Sequence, residues 1–270
     1  MTPVAGTDNQ TMPTIQDGAA VAEVLRADGR APLVLVCEHA SPAIPAALGD
    51  LGLSAEDRLS HAAWDPGAAD LARHLSEVFD APLVLATVSR LVHDLNRPAG
   101  TPEAVPDHVE RIAVPGNAGL DAAARRARAD AVYRPFHARV AGLLDARGQG
   151  TALVTVHSFN PTWFGQPRTT EIGILNDTDP AFADAMLAAA PEEPAVAANE
   201  PYSAADGVTH MLAAHAGPRG LPSAMIEVRA DLLADDDGVR RIGWALAQML
   251  TAALAGRRDA AAARDERQRA

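Results

Sequence analysis

The sequence predicts a single-domain α/β protein built on a mostly parallel, mixed β-sheet, and three observations predict it. Four short apolar runs, at 33–37, 81–88, 152–156 and 223–228, are near-continuous rather than alternating, as strands covered on both faces must be. These runs alternate with stretches whose apolar residues recur at helical spacing, the pattern of successive strand–helix units. Two of the runs also lead straight into a histidine: Leu33-Val34-Leu35-Val36-Cys37 into Glu38-His39, and Ala152-Leu153-Val154-Thr155-Val156 into His157-Ser158. The carboxyl ends of such strands are where open α/β sheets place their ligand sites.

The elements follow in order. Residues 1–17 are polar and proline-containing and are expected to form a loose arm. Residues 18–29 have the spacing of a short amphipathic helix, with Val21, Val24 and Leu25 on one side. After the first strand, Pro42 and Pro45 keep the chain out of helix and brace a loop behind His39. Ser54 to Asp57 reads as a helix start leading through Leu59 and His61 to Trp64. Asp65-Pro66-Gly67 then opens another helix, with Asp65 a candidate N-cap, Pro66 a favourable first residue, and Leu71, Leu75 and Val78 as the apolar stripe. The second strand, 81–88, runs into Ser89-Arg90 and on to Asp94-Leu95-Asn96-Arg97-Pro98. Residues 99–118 lack periodicity and are long enough for a pocket wall. A long helix over about 120–147 precedes the strand at 152–156, and Ile172 to Leu175 forms another strand. Residues 180–199 read as helix and proline-rich turn, 207–216 as helix, 223–228 as the last strand, and 236–256 as the final helix with Ile242, Leu246 and Leu250 inward. The folded domain is therefore expected over 18–256, with a charged, fraying tail at 257–270.

Composition removes several function classes. Of 270 residues 48% are apolar, ample for a large core, and the formal charge is −12 with only 4% aromatics. An acidic chain poor in stacking side chains is unsuited to nucleic acid, although a pocket can still hold a few arginines for a small anion. The single cysteine, Cys37, excludes an internal disulfide framework and points to a reducing, cytoplasmic setting. No uncharged stretch is long enough to span a membrane, and the N-terminus has no basic region before an apolar core, so neither membrane nor secretion is expected.

The histidines carry the chemistry. One histidine is more often structural than functional, but two placed independently at strand ends can converge on one ion or substrate. Neutral imidazole is the commonest metal ligand, and zinc hydrolase sites use three protein ligands with an open position. His39 and His157 therefore call for a carboxylate, and Asp65 and Glu38 compete for that place. Asp65 is preferred, because Glu38 and His39 are consecutive and share an ion only if the chain turns between them. Glu227, in Ile226-Glu227-Val228-Arg229, is an acid at the end of an apolar run, where it is costly unless paired or functional. Its plain reading is an ion pair with Arg229; its functional one is a general base for an attacking water. Arg90, Asn96 and Arg97 cluster past the second strand, and guanidinium groups grip carboxylates through paired hydrogen bonds. Asp94 is placed to orient a histidine or arginine, Arg168, Tyr202 and Ser203 lie on loops that can complete a pocket, and His61 and His93 remain open.

Glu38-His39-Ala40-Ser41, Trp64-Asp65-Pro66-Gly67, Ser89-Arg90 through Pro98, His157-Ser158-Phe159-Asn160-Pro161, Arg168 to Leu175, Pro201-Tyr202-Ser203 and Ile226 to Arg229 resemble, in order over about 32–250, the N-formylglutamate amidohydrolase family. That family is similar to the zinc carboxypeptidases and aspartoacylase-like deacylases. The resemblance implies a three-layer, carboxypeptidase-like sandwich and one Zn2+ ion held by His39, His157 and a carboxylate, for which Asp65 is preferred to Glu38. It implies Glu227 and Arg97 as catalytic groups, and Arg90, Asn96, Arg97, Ser158, Arg168, Tyr202 and Arg229 around the substrate. The implied reaction is release of formate from N-formyl-L-glutamate, a small anionic N-acyl amino acid, at the end of histidine degradation. The chain departs from the carboxypeptidase His-x-x-Glu ligand motif, since Pro42 stands where its Glu would be, and Cys37-Glu38-His39-Ala40-Ser41 departs from a Pro-His-Ser-Gly form. A deacylase or peptidase acting on another acyl amino acid or small peptide, or a metal-free binder of an acidic metabolite, are the competing readings. The oligomeric state has no signature in the sequence.

Overall fold

In the computed structural model, which describes residues 21–148 and 150–269, a seven-stranded sheet runs β1-β3-β2-β6-β11-β9-β10. Its strands are β1 (Ala22–Leu25), β2 (Leu33–Cys37), β3 (Leu83–Ala86), β6 (Ala152–Phe159), β9 (Ile172–Leu175), β10 (Val196–Ala198) and β11 (Ser223–Arg229). Two small hairpins stand apart from it: β4 (His108–Val109) with β5 (Ile112–Ala113), and β7 (Thr162–Trp163) with β8 (Gln166–Pro167). The helices are α1 (Ala68–Phe79), α2 (Ala122–Arg128), α3 (Arg134–Arg147), α4 (Ala181–Leu187), α5 (His210–His215) and α6 (Asp236–Arg269). A π-turn at Ala129–Tyr133 joins α2 to α3 as one helical rod. β3, β2, β6 and β11 are parallel neighbours, as are β9 and β10; β1 on β3 and β9 on β11 are the antiparallel pairs.

Side chains alternate across the sheet and define two cores. Leu33, Leu35, Val154, Val156, Ile226 and Val228 face α1, α4 and α6, through Leu71, Leu75, Phe182, Ile242, Leu246 and Leu250. Val34, Val36, Val84, Leu153 and Met225 face α3 and α5, through Phe136, Val140, Leu144, Met211 and Leu212. The result is a three-layer α/β sandwich, and each of these fully buried aliphatic side chains contributes about 1.5–3 kcal/mol.

The order of connections locates the site. From β2 the chain crosses through α1 to β3 on one side of it, then returns through α3 to β6 on the other. β2 and β6 therefore flank a topological switch point, where a crevice opens at the strands' carboxyl ends.

Several elements differ from the sequence reading, each for a physical reason. The segment expected as a helix over 18–29 contains β1, since Ala22–Leu25 pairs antiparallel with β3 and edge pairing overrides its weak periodicity; residues 18–20 and the expected arm lie outside the described residues. Residues 54–64 form only a 3-10 turn at Asp57–Leu59. β6 continues three residues beyond 156, so His157 lies within the strand rather than after it. β10 falls in the segment read as helix and turn, and α6 continues through the segment read as a fraying tail, whose alanines with interspersed arginines and acids favour helix.

Candidate active site

Three elements bring the functional side chains together. His39 follows β2 by one turn residue, His157 lies in β6, and Asp65 occupies the loop before α1. The Asp65 N–H donates to the His39 carbonyl at 2.9 Å, which ties that loop to the end of β2. α1 begins at Ala68 with Gly67 at its N-cap, so Asp65 is not the cap, and its carboxylate is turned into the crevice instead. Gly67 has φ +77°, and a Cβ there would lie 2.4 Å from the Leu233 Cβ, so only glycine allows this turn.

The Asp65 Oδ2 lies 2.9 Å from His157 Nδ1 and 3.3 Å from His39 Nδ1. One ligand atom from each residue falls within 4.8 Å of the others, and all three side chains are buried. The remaining ring nitrogens face carboxylates: His39 Nε2 lies 2.8 Å from Asp94 Oδ1, and His157 Nε2 lies 3.2 Å from Glu38 Oε2. Both imidazoles thus present Nδ1 to a common point with an acid behind them, the arrangement that fixes tautomer and direction in metal sites. Two nitrogens and one carboxylate oxygen, buried and convergent, fit a zinc ion with a position left for water or substrate. Glu38 is fully buried behind His157 rather than beside Asp65, which separates the two candidate carboxylates.

The electrostatics follow from this crowding. Burial and Arg90 pull the His39 pKa down, but Asp94 and Asp65 outweigh them and raise it above its ordinary value. Burial likewise opposes the charged form of His157, which Glu38 and Asp65 raise well above the usual imidazole range. Asp65, despite a burial effect in the other direction, is held well below the carboxylate range by His39 and His157.

Glu227 stands opposite His157 in the β11–β6 register and lines the same cavity. It is 4% exposed, and its Oε2 has no hydrogen-bond partner. Burial pushes its pKa up to about 7, against the lowering influence of His157. A carboxyl group poised near neutrality with an unengaged oxygen is suited to accept and return a proton.

The surrounding residues divide by what they touch. The cavity, about 260 Å³, is walled by His39, His61, Asp65, Arg90, Asp94, Asn96, Arg97, His157, Ser158, Tyr202 and Glu227, with Val109, Glu110, Trp163, Val208 and Met225 completing it. Arg90 donates from Nε and Nη2 to Asp94 Oδ2 and reaches Asp65 Oδ1 at 3.5 Å, so its charge is already engaged. The Asn96 amide donates to the Val208 carbonyl and accepts from the Met211 N–H, bracing the start of α5. Arg97 donates from Nη1 to the Gly207 carbonyl and has no acidic partner among the described residues. The Ser158 hydroxyl donates to the Pro66 carbonyl. Arg168 lies behind Tyr202, donating to its hydroxyl at 3.1 Å, and lines a neighbouring cavity instead. Arg229, placed around the substrate by the resemblance, is outside both cavities, held by Asp231, Glu171 and the Arg168 carbonyl; the alternative Glu227–Arg229 ion pair does not form either.

His61, left open by the sequence, belongs to the wall. Its Nε2 donates to the Ser158 carbonyl at 2.5 Å and lies 3.5 Å from Asp65 Oδ1, and its position four residues before Asp65 was the available signal. Glu110 and Trp163 sit in two-residue hairpins that carry no periodicity, so nothing in the sequence marked them. The two hairpins meet at the mouth, where the Arg111 guanidinium lies 5.4 Å from the Phe164 ring centre.

Comparison with known proteins gives a consistent answer. The sequence model of the N-formylglutamate amidohydrolase family matches residues 31–234. The crystal structure of a gene product from Agrobacterium tumefaciens is similar at 46% identity and TM-score 0.85, over 87% of this chain and 95% of that one. An N-formylglutamate amidohydrolase from Ralstonia eutropha shares the fold at TM-score 0.67 and 20% identity, over 89% of this chain and 99% of that one. Comparison with curated proteins gives no match.

Proposed function

The chain belongs to the N-formylglutamate amidohydrolase family, and from that premise we propose that it hydrolyses the amide bond of a small anionic N-acyl amino acid in a zinc-dependent reaction, with N-formyl-L-glutamate the leading substrate. The observation that carries this reading is the buried convergence of His39, Asp65 and His157 beside the unengaged carboxyl oxygen of Glu227.

The chemistry a divalent ion supplies in such a place is polarisation of the acyl carbonyl and a lowered pKa for water, to about 7. His39, Asp65 and His157 would hold it, with Asp94 and Glu38 keeping both rings aimed. Glu227 takes the proton of the attacking water as its oxygen bonds to the acyl carbon. It then returns that proton to the amide nitrogen as the C–N bond breaks, giving formate and the free amino acid. Arg97, with Nε and Nη2 free, binds the substrate carboxylate and orients the amide. Arg90, committed to Asp94 and Asp65, stiffens the site instead. The buried Cys37 fits a cytoplasmic setting.

The test is formate release from N-formyl-L-glutamate by zinc-loaded protein, before and after chelation, with acetyl and succinyl analogues alongside. Loss on chelation and recovery on zinc addition are expected. The variant Glu227→Gln should lower kcat by on the order of 10²-fold or more while still binding zinc; a near-normal rate in that variant removes Glu227 from the mechanism. Faster turnover of the acetyl or succinyl compound would assign a different acyl group to the same chemistry.

A further inference from the structure

Beyond the inner cavity lies a second one, about 680 Å³, that shares Arg97, Trp163, Tyr202 and Val208 with it. The two adjoin across these four residues, and the outer is the larger. The amidohydrolase reading of the inner cavity assigns no role to the outer one.

The outer walls have a definite chemistry. The Arg168 guanidinium lies 5.0 Å from the ring centres of both Trp163 and Tyr202 and 5.2 Å from that of Phe159, so three rings fix its plane. Its Nη1 donates to the Asn160 carbonyl and the Tyr202 hydroxyl, while among the described residues Nε and Nη2 have no partner and no acid lies within ion-pair distance. The acid that shares the chamber, Asp206, accepts from the Ser203 backbone N–H and hydroxyl. Trp163 and Phe164 are 40% and 59% exposed, two of the few large apolar side chains left uncovered among the described residues. A pre-oriented guanidinium with free donors beside bare aromatic faces is built for a carboxylate attached to an apolar group.

We propose that the outer chamber receives the residue that follows the N-acylated one, so that the enzyme acts on N-acyl dipeptides: the terminal carboxylate on Arg168, the terminal side chain against Trp163 and Phe164. This rests on the amidohydrolase reading of the inner site. The reaction is unchanged: water adds its oxygen to the acyl carbon, the acyl C–N bond breaks, and the dipeptide leaves with the proton on its nitrogen.

The experiment compares kcat/KM of the zinc-loaded protein on N-formyl-glutamyl-phenylalanine, on the same compound with its terminal carboxylate amidated, and on N-formyl-L-glutamate. The free carboxylate should be preferred over the amide by about tenfold or more, the worth of a charge-assisted pair. Arg168→Ala should bring that ratio close to one, and Arg168→Lys should restore part of it. Calorimetry of the unreactive glutamyl-phenylalanine and its amide should show the same preference in binding alone. A wild-type ratio near one, or a ratio that survives in Arg168→Ala, overturns the proposal. If N-formyl-L-glutamate is hydrolysed and the ratio is one, only the dipeptide inference falls; if no formyl compound is hydrolysed by zinc-loaded protein, the inner-site reading falls with it.

Discussion

At the scale of single residues, the most constrained side chain is Glu38. A fully buried carboxylate is several kcal/mol too costly to keep without a partner, and the group it faces is His157 Nε2, 3.2 Å away. The contact is an ion pair without hydrogen-bond geometry, and it favours the ring orientation that points Nδ1 at Asp65. Glu38→Gln is expected to weaken zinc binding by about 10–100-fold in a competition titration against a chelator, with the fold intact by circular dichroism. Unchanged affinity would make Glu38 a spectator. The sequence carried His39 and Asp65 because they sit beside element ends, and His157 and Glu227 because each is a polar residue following an unbroken apolar run, although both strands continue past them. It left Asp65 and Glu38 in competition, because which of two acids faces inward depends on the path of a loop. Arg229 was misjudged because it turns away from the crevice to Asp231, two residues on, and to Glu171, which tertiary packing brings beside it.

At the scale of elements, the loop from Asp65 to Ala68 connects packing to chemistry. Gly67 combines a positive φ with a backbone pressed against Leu233, so Gly67→Ala must move either α1 or the turn after β11. We expect a loss of about 1–3 kcal/mol in chemical unfolding, together with weaker zinc binding because Asp65 shifts with the turn. A variant that is destabilised yet binds zinc normally would uncouple the two. The strands β2, β6 and β11 were legible because their runs of Val, Leu and Ile leave few alternatives to a doubly covered strand. β1 was not, since four residues at a sheet edge, three half-buried and Glu23 exposed, owe their conformation to the partner strand. Nor was the 54–64 segment, whose helix-start signal at Ser54 is spent on a side-chain turn with Asp57.

At the scale of the whole molecule, the sheet order creates the site, and it was beyond the reach of local pattern. Periodicity shows that β2 and β6 exist; only the crossover directions of α1 and α3 make them neighbours with a crevice between. The α3–α5 layer also holds one source of acid sensitivity. The His137 Nε2 donates to the Leu95 carbonyl, so its Nδ1 is bare and accepts from His215 Nε2 at 2.8 Å. Burial pushes His137 down to about 3 and His215 down to about 4; the adjacent His215 ring adds to the first and the Arg219 guanidinium to the second. Both are neutral when folded, whereas an unfolded imidazole titrates near 6.5. Their contribution is therefore complete above about pH 6.5 and declines as the pH falls toward 4, by about 1.4 kcal/mol per unit for each ring. Thermal unfolding should show Tm falling over that window, and less steeply in His215→Leu; equal slopes would place the acid sensitivity elsewhere.

The central claim is that His39, Asp65 and His157 hold one cation beside Glu227. The most direct measurement is anomalous diffraction at the zinc edge from zinc-soaked crystals of the full chain. One strong peak is expected at about 2.0–2.2 Å from both Nδ1 atoms and from an Asp65 oxygen. A crystal with zinc in solution and no peak at that point, or with the ion bound at other residues, would contradict it.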